Sequence, residues 1–163
     1  MRFSYHNLFS DNNRNKGFVC FFATNNSAWN KPLLKRKLGN STVFKISLTM
    51  KTSVISQTHE NLPEHYGLLN FTLLPQVAPD VDDDSFNPAY ICLIKPQFVP
   101  PGFRQKLQSL VYLNHCEVWG KDYQNGTQLF LRILHEQTSG YLYRHDLIRT
   151  YLAQIVHLAL KMK

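Results

Sequence analysis

The N-terminal part of the chain repeats short apolar runs separated by polar loops. The run from Lys16 to Thr24, KGFVCFFAT, is dense in aromatic and β-branched residues, as expected of a buried strand. In the next run, Phe44, Ile46 and Leu48 alternate with polar residues, which predicts a strand with one solvated face. The alternating polar positions are Lys45, Ser47 and Thr49.

Further strand patterns follow before the chain changes character. The segment Lys51 to Thr58 is predicted to pair with the preceding strand as a hairpin. Tyr66 to Leu74 is a strand that Pro75 ends, and AYICLIKP, which begins at Ala89, is the last clear core strand. Closely spaced strands with polar loops favour a small β-barrel or sandwich.

The C-terminal part has helical patterns. Pro100 to Leu107 is predicted to form a short helix or turn, and an extended piece follows from Val111 to Trp119. Asp122 or Thr127 is expected to cap a helix that continues to about Thr138. Because the strands come first and the helices last, the sequence predicts a single α+β domain, with a β part at 16–99 and a helical part at 100–163.

The last predicted helix, Tyr143 to Lys163, is apolar on more sides than one packing surface requires. One side can cover the core of the domain, and the other then favours a partner chain, so we expect a homodimer. The predicted dimer seam consists of Leu147, Tyr151, Ile155 and Leu158. The opposite side, through Ile148, Leu152 and Val156, is equally apolar, and a helix fully sunk in its own core is the alternative.

This helix also carries a family resemblance. The run DLIRTYLAQIVHLALKM resembles the linker-proximal helix of N-terminal regulatory domains in AraC-type bacterial transcription regulators. The runs VFKISL, GLLNFTLLPQVAP and AYICLIKPQFV occur in the order and rough spacing found in one branch of that family. Each run alone is mainly a hydrophobic pattern, so the resemblance depends on their joint order.

The resemblance implies a cupin-like barrel beside an antiparallel helix pair. It also implies an effector-sensing and dimerisation domain, which controls how a DNA-binding domain outside these residues is presented. A small-molecule effector is expected inside the barrel, where the same side chains have core filling as their alternative role. The candidate ligand-binding residues are Phe44, Ile46, Leu48, Tyr66, Leu69, Phe71, Leu73 and Tyr90. Two other functions stay open: a free-standing cupin-like small-molecule-binding protein or enzyme, and a dimerisation module without a ligand.

Composition and charge narrow the function classes. A chain of 163 residues with 44% hydrophobic residues is expected to fold as one globular unit. We see no signal peptide and no run as long as a membrane span, which predicts a cytoplasmic protein. The formal charge is +7, but the basic residues are scattered apart from a group at 31–37. These residues are therefore not expected to form a nucleic-acid-binding surface, and the resemblance implies DNA contact only through a separate C-terminal domain.

Metal binding is not expected. The chain lacks the HxH pattern of metal-binding cupins, and its nearest group, HENLPEH at 59–65, lies in a predicted loop. Asp80, Asp82 and Asp84 have the spacing of a calcium loop, but Ser85 replaces the required Gly and Ile91 the bidentate Glu. The sequence therefore predicts neither a metal nor another cofactor.

No catalytic residues are predicted either. His115 and Cys116 are adjacent, yet neighbours in a strand point to opposite faces. Cys20 and Cys92 lie in apolar runs and, like Cys116, lack CxxC spacing, so we interpret them as small core residues. On these grounds the chain is not expected to be an enzyme.

Overall fold

A computed structural model describes residues 17–23, 42–52, 65–74, 87–113 and 115–162. These residues form five strands, one 3₁₀ turn and three α-helices. In chain order they are β1 (Phe18–Ala23), β2 (Val43–Thr52), β3 (His65–Leu74), β4 (Ala89–Ile94), the 3₁₀ turn (Pro96–Phe98), α1 (Pro101–Leu113), β5 (His115–Trp119), α2 (Gly120–Thr138) and α3 (Arg144–Lys161). The α+β class predicted from the sequence is confirmed.

The five strands form one antiparallel sheet with the order β1-β4-β2-β3-β5. β2 and β3 are neighbours in the chain and in the sheet, whereas β4 lies between β1 and β2. Within the described residues, β1 and β5 are therefore the edges. The strand β5 lies in the part predicted to be helical, at 100–163, and pairs with β3. It matches the second half of the extended piece predicted at 111–119, whose first residues belong to α1.

One face of the sheet packs against all three helices, and we call it the helix face. Phe130 and Ile133 of α2, and Leu152 of α3, are completely buried against it. Burial of each such side chain stabilises the fold by about 1.5–3 kcal/mol. The buried sheet residues on the helix face are Phe18, Cys20, Phe44, Ile46, Leu48, Leu69, Phe71, Tyr90, Cys92, Ile94 and Val118.

The opposite face, which we call the far face, is buried at its centre as well. Ser47 is 2% exposed and Thr49 is 0% exposed, so the predicted solvated face of β2 is wrong. The side chains of β2 do alternate between apolar and polar. The apolar ones lie on the helix face, and the polar Ser47 and Thr49 on the far face are buried as well. The buried apolar residues of the far face are Val19, Phe21, Val43, Leu74, Ala89, Ile91 and Leu93.

Several boundaries differ from the sequence-based prediction. Lys51 and Thr52 continue β2, whose partner is β3, and residues 53–58 of the predicted hairpin lie outside the described residues. Helix α1 continues to Leu113 instead of ending near Leu107. Its buried Leu107 and Leu110 are one helical turn apart, so the extra turn continues an inward-facing row.

Helix α2 begins at Gly120, with Trp119 as its N-cap residue, so neither Asp122 nor Thr127 caps it. Asp122 instead lies in the first turn, where its negative charge is favourable near the positive end of the helix dipole. The close contacts of Gly126 with Leu158 and of Arg132 with Tyr151 show that α2 and α3 run antiparallel.

The start of α3 is attached to the segment that follows β4. Arg149 donates a hydrogen bond from Nε to the carbonyl oxygen of Phe98 at 2.7 Å. Its guanidinium also lies 4.5 Å from the centre of the Phe98 ring, which in turn stacks on Phe18 at 5.3 Å. One side chain of α3 thus contacts the turn after β4, and Phe98 of that turn contacts β1.

No helix in the described part of the chain combines the length and the apolar character needed to cross a membrane.

Two glycines mark the places where α2 approaches the sheet and α3. A Cβ atom at Gly67 of β3 would come within 2.7 Å of the Thr49 carbonyl oxygen and 2.9 Å of the Tyr123 ring. A Cβ atom at Gly126 of α2 would lie 3.5 Å from Leu158 and 3.6 Å from Leu48, which is ordinary contact. Close approach therefore requires glycine at position 67 but not at position 126.

We expect Gly67→Ala to destabilise the chain by about 1–3 kcal/mol, because a Cβ atom 2.7 Å from a backbone oxygen forces the paired strands β2 and β3 to shift. Gly126→Ala is the matched control and should stabilise it by up to about 1 kcal/mol, since glycine is unfavourable inside a helix. Urea unfolding followed by circular dichroism measures both. Equal stability of Gly67→Ala and the parent chain would contradict the packing described for α2.

Candidate functional site

The predicted effector residues of β2 and β3 lie opposite one another on the helix face. In the sheet register, Phe44 pairs with Leu73, Ile46 with Phe71, and Leu48 with Leu69. Tyr90 of β4 is directly opposite Leu48 on the other side. The structure thus brings seven of the eight candidate residues onto one surface.

That surface is occupied by the helices. Phe44, Ile46, Leu48, Leu69, Phe71 and Tyr90 are at most 8% exposed, and Leu73 is half-buried. The Tyr90 ring stacks on the ring of Phe130 from α2, with the ring centres 5.7 Å apart. Packing between sheet and helices accounts for these side chains, and their contact with an effector stays a prediction.

The eighth candidate, Tyr66, lies on the far face. It is opposite Trp119 of β5, and the two rings stack with their centres 4.2 Å apart and their planes 10° apart. Both side chains are half-buried, so each ring retains some accessible surface. Tyr66 is therefore separated by the thickness of the sheet from the seven residues with which it was grouped.

Polar side chains cover the part of the far face formed by β2, β3 and β5. Three rows cross these strands: Lys51 with Tyr66 and Trp119, Thr49 with Leu68 and Glu117, and Ser47 with Asn70 and His115. We call this surface the polar half of the far face. It contrasts with the apolar half on β1 and β4, where Val19, Ile91 and Leu93 are buried.

Lys45 lies where the two halves meet, between Leu93 of β4 and Thr72 of β3. Burial removes water from its amine and lowers the pKa of Lys45 below its usual value of 10.5. On the same side of β2, the hydroxyl oxygen of Thr49 is buried and has no hydrogen-bond partner among the described residues. An amine and hydroxyl donors in this arrangement can bind an anionic or carbonyl oxygen of a small molecule.

The sequence did not predict the polar half of the far face, because its polar residues on β2 were expected to be exposed to solvent. Period-two alternation shows that Lys45, Ser47 and Thr49 share a face. It does not show that β2 becomes the central strand, which depends on the insertion of β4 beside it. The sequence contained one signal of a buried polar surface, which is a lysine in the middle of an otherwise buried run.

The described residues contain no cluster of three or more His, Cys, Asp or Glu side chains that could hold a metal ion. His59, Glu60 and Glu64, and the acidic run at 80–84, lie outside the described residues. His65 begins β3. His115 pairs with Asn70 and Cys116 with Leu69, so the two neighbours point to opposite faces as predicted.

Two cysteines face each other inside the sheet. Cys20 of β1 and Cys92 of β4 are paired in register and completely buried, which confirms their interpretation as core residues. The Cys92 thiol donates a hydrogen bond to Cys20 Sγ, with a distance of 2.9 Å between the sulfurs. Burial, together with this hydrogen bond, raises the pKa of Cys92.

A side chain of α2 closes the edge of the sheet at the same residue. The Gln137 amide donates from Nε2 to the Cys20 carbonyl oxygen at 2.9 Å. Its Oε1 accepts a hydrogen bond from the Cys20 N–H at 2.6 Å. The amide thus satisfies both backbone groups of one edge-strand residue, as a neighbouring strand would.

Helix α3 divides its apolar residues between two environments. The side that packs in the core contains Ile148, Leu152, Ile155, Val156 and Ala159. Leu147, Tyr151 and Leu158 are half-buried, and the Arg132 guanidinium lies 5.9 Å from the centre of the Tyr151 ring. Ile155 is 0% exposed, so it packs within its own chain and only the other three predicted seam residues retain accessible surface.

The turn between α2 and α3 presents further apolar surface. Tyr141, Leu142 and Tyr143 are 51%, 82% and 57% exposed. Leu131 of α2 is also exposed, at 41%. Accessible apolar groups are therefore present along the helix pair as well as on the predicted seam.

No protein-family model matches the chain, and no curated protein matches it significantly.

We expect Lys45→Met to stabilise the chain by about 1 kcal/mol at neutral pH, because methionine fills a similar volume without a charge to desolvate. At neutral pH the charged amine is costly in the folded state. That cost disappears as the pH rises through the lowered pKa toward the usual value of 10.5, so the difference between variant and parent should shrink toward about pH 10.

Urea unfolding at several pH values measures this difference. Lys106→Met on the exposed side of α1 is the control and should change stability little at any pH. A Lys45→Met variant that is less stable than its parent at neutral pH would show that the amine has a favourable partner in the folded chain.

Proposed function

We propose that the chain is the effector-sensing and dimerisation domain of an AraC-type transcription regulator. In this proposal it controls the presentation of a DNA-binding domain that these residues do not include. Support comes from the positions of the resembling segments, because VFKISL falls on β2, GLLNFTLL on β3, AYICLI on β4 and the helical run on α3. A cupin-like arrangement of the sheet belongs to the same proposal.

The observation that carries the dimerisation role is the two-sided character of α3. Its core side is filled by Ile148, Leu152 and Val156, which are at most 1% exposed. Leu147, Tyr151 and Leu158 remain only half-buried although the helix already covers the core. A second copy that packs its own α3 against this row would cover it, and a two-fold arrangement is the simplest closed one.

Effector sensing would operate through linkage between the ligand and the helix pair. A ligand that binds one arrangement of sheet and helices more tightly shifts the population toward that arrangement. The polar half of the far face is the better location for such a ligand, because helix packing already occupies the helix-face residues. Lys45 and Thr49 would supply donors there, and the Tyr66–Trp119 stack would supply an aromatic surface.

The polar half of the far face also favours the second candidate function, a free-standing protein that binds a small molecule. Both candidates use the far face in the same way. They differ in whether the half-buried row of α3 joins two copies of the chain, so the oligomeric state distinguishes them.

Leu147→Glu combined with Leu158→Glu is expected to convert a homodimer into a folded monomer. Each buried leucine contributes about 1.5–3 kcal/mol to an interface, and a carboxylate there would be desolvated. Ile148→Glu combined with Leu152→Glu should instead unfold the chain, because these side chains are at most 1% exposed. Light scattering and circular dichroism on both variants measure assembly and folding separately.

A reporter in cells tests whether the contact can serve regulation. The chain is fused to a heterologous DNA-binding domain that represses transcription only as a dimer. Repression is expected with the parent chain and with His157→Glu, a control at an exposed position of α3 outside the row of Leu147 and Leu158. It should be lost with the Leu147/Leu158 variant. A parent chain that is monomeric at high concentration and gives no repression would exclude the dimerisation role.

The chain alone is expected to bind duplex DNA weakly and without sequence preference. Its positive charges produce a salt-sensitive attraction to phosphate, but base readout requires an element that fits a groove. Gel retardation with unrelated duplexes at low and physiological salt measures this binding. Tight, sequence-selective retardation at physiological salt would contradict the assignment of DNA recognition to a separate domain.

A further inference from the structure

The facing cysteines of β1 and β4 have the geometry of a cross-strand disulfide. Lys95 donates a backbone hydrogen bond to the Gly17 carbonyl oxygen, and paired residues in an antiparallel ladder alternate between bonded and non-bonded types. Cys20 and Cys92, three positions further along in register, therefore form a non-hydrogen-bonded pair. Such pairs have Cα atoms about 4.5 Å apart, within the range of about 4.4–6.8 Å that a disulfide requires.

We propose that Cys20 and Cys92 form a reversible dithiol–disulfide pair that peroxides oxidise. The two sulfur atoms lie 2.9 Å apart, so a bond between them requires only a small side-chain rotation. This modification site does not depend on the proposed regulatory function, because it rests on the pairing of β1 with β4 alone.

The two thiols have different roles in the oxidation. The Cys92 thiol donates its hydrogen to Cys20 Sγ, so the Cys20 sulfur is the acceptor of this pair. Cys20 also lies on the edge strand β1, whereas Cys92 lies on β4 with strands on both sides. Cys20 is therefore the sulfur that reacts first, and Cys92 resolves the product.

The chemistry balances with one peroxide. The Cys20 sulfur attacks one peroxide oxygen as it loses its proton. The O–O bond breaks, Cys20 becomes a sulfenic acid, and the other oxygen leaves as water with that proton. Cys92 sulfur then attacks Cys20 sulfur. The S–S bond forms, the S–O bond breaks, and the hydroxide leaves as water with the proton of Cys92. The two sulfurs are oxidised by two electrons and the peroxide is reduced by two.

Access to Cys20 is controlled by the edge of the sheet. Both cysteines are 0% exposed, so a peroxide reaches them only when the edge strand opens locally. The Gln137 amide holds this edge with hydrogen bonds to the Cys20 N–H and carbonyl. Loss of that amide should therefore increase the oxidation rate without changing the thiols.

The product would fasten an edge strand to the centre of the sheet. Cys20 and Cys92 are 72 positions apart in the chain, and closing such a long loop restricts the unfolded chain strongly. The oxidised chain should melt about 5–15 °C higher than the reduced one.

The proposal is tested by treating the Cys116→Ser variant of the full chain with hydrogen peroxide. This substitution leaves only Cys20 and Cys92 as cysteines. After treatment, the chain is denatured, alkylated and analysed by mass spectrometry. We expect a monomer whose mass is lower by two hydrogen atoms, with no alkylation, and with Cys20 joined to Cys92 in the peptide map. Dithiothreitol should restore two alkylation sites.

Two results would overturn the proposal. One is full alkylation of both cysteines after exposure to peroxide long enough to oxidise a free thiol peptide in the same sample. The other is sulfinic acid at one cysteine with the second cysteine still alkylated, which would mean that Cys92 does not resolve the intermediate.

Gln137→Ala tests the role of the edge. It should form the disulfide several-fold faster than the parent, whereas Gln128→Ala, at an exposed position of the same helix, should not change the rate. Circular dichroism confirms that both variants are folded. Equal rates in all three chains would show that opening at Cys20 does not limit the reaction and would remove the access mechanism.

Discussion

Burial of the sheet on both faces is the constraint on which the rest of this structure depends. All six residues of β4 are buried, and β4 separates β1 from β2 in the sheet. A strand in that position must present apolar side chains in both directions, which AYICLI does. The same constraint places Ser47 and Thr49 of the neighbouring strand in a covered environment, where their polarity has to be matched by hydrogen bonds or by a ligand.

The sequence predicted the local elements well because each leaves a local pattern. The strands at 18–23, 65–74 and 89–94 were recognisable from β-branched and aromatic runs, and the two long C-terminal helices from apolar residues three and four positions apart. Strand order was not recognisable, because pairing of β1 with β4 joins residues far apart in the chain. The burial of Lys45 and the pairing of Cys20 with Cys92 depend on that order, and the sequence predicted neither.

Helix α3 shows the same limit in another form. Its sequence identifies two apolar sides, but only packing decides which side meets the sheet. Ile148, Leu152 and Val156 are buried, and Ile155, which belongs by spacing to the other row, is also buried because it lies at the border of the core side. When the apolar surface of a helix is broad, periodicity alone does not tell which apolar residues face the core and which face a partner. The part of the helix that becomes buried depends on the shape of the neighbouring elements.

The attachment of Arg149 to Phe98 has a consequence for the order of unfolding. Its hydrogen bond joins residues 51 positions apart and closes a ring of chain that contains α1, β5 and α2. Within that ring, β5 is paired with β3 and α2 holds β1 through Gln137. Helix α1 packs against β3 and α3, so separation of any of the three elements removes contacts with the sheet or with α3. They should therefore exchange their amide hydrogens as one cooperative unit, with similar protection in α2 and β5 despite their very different lengths.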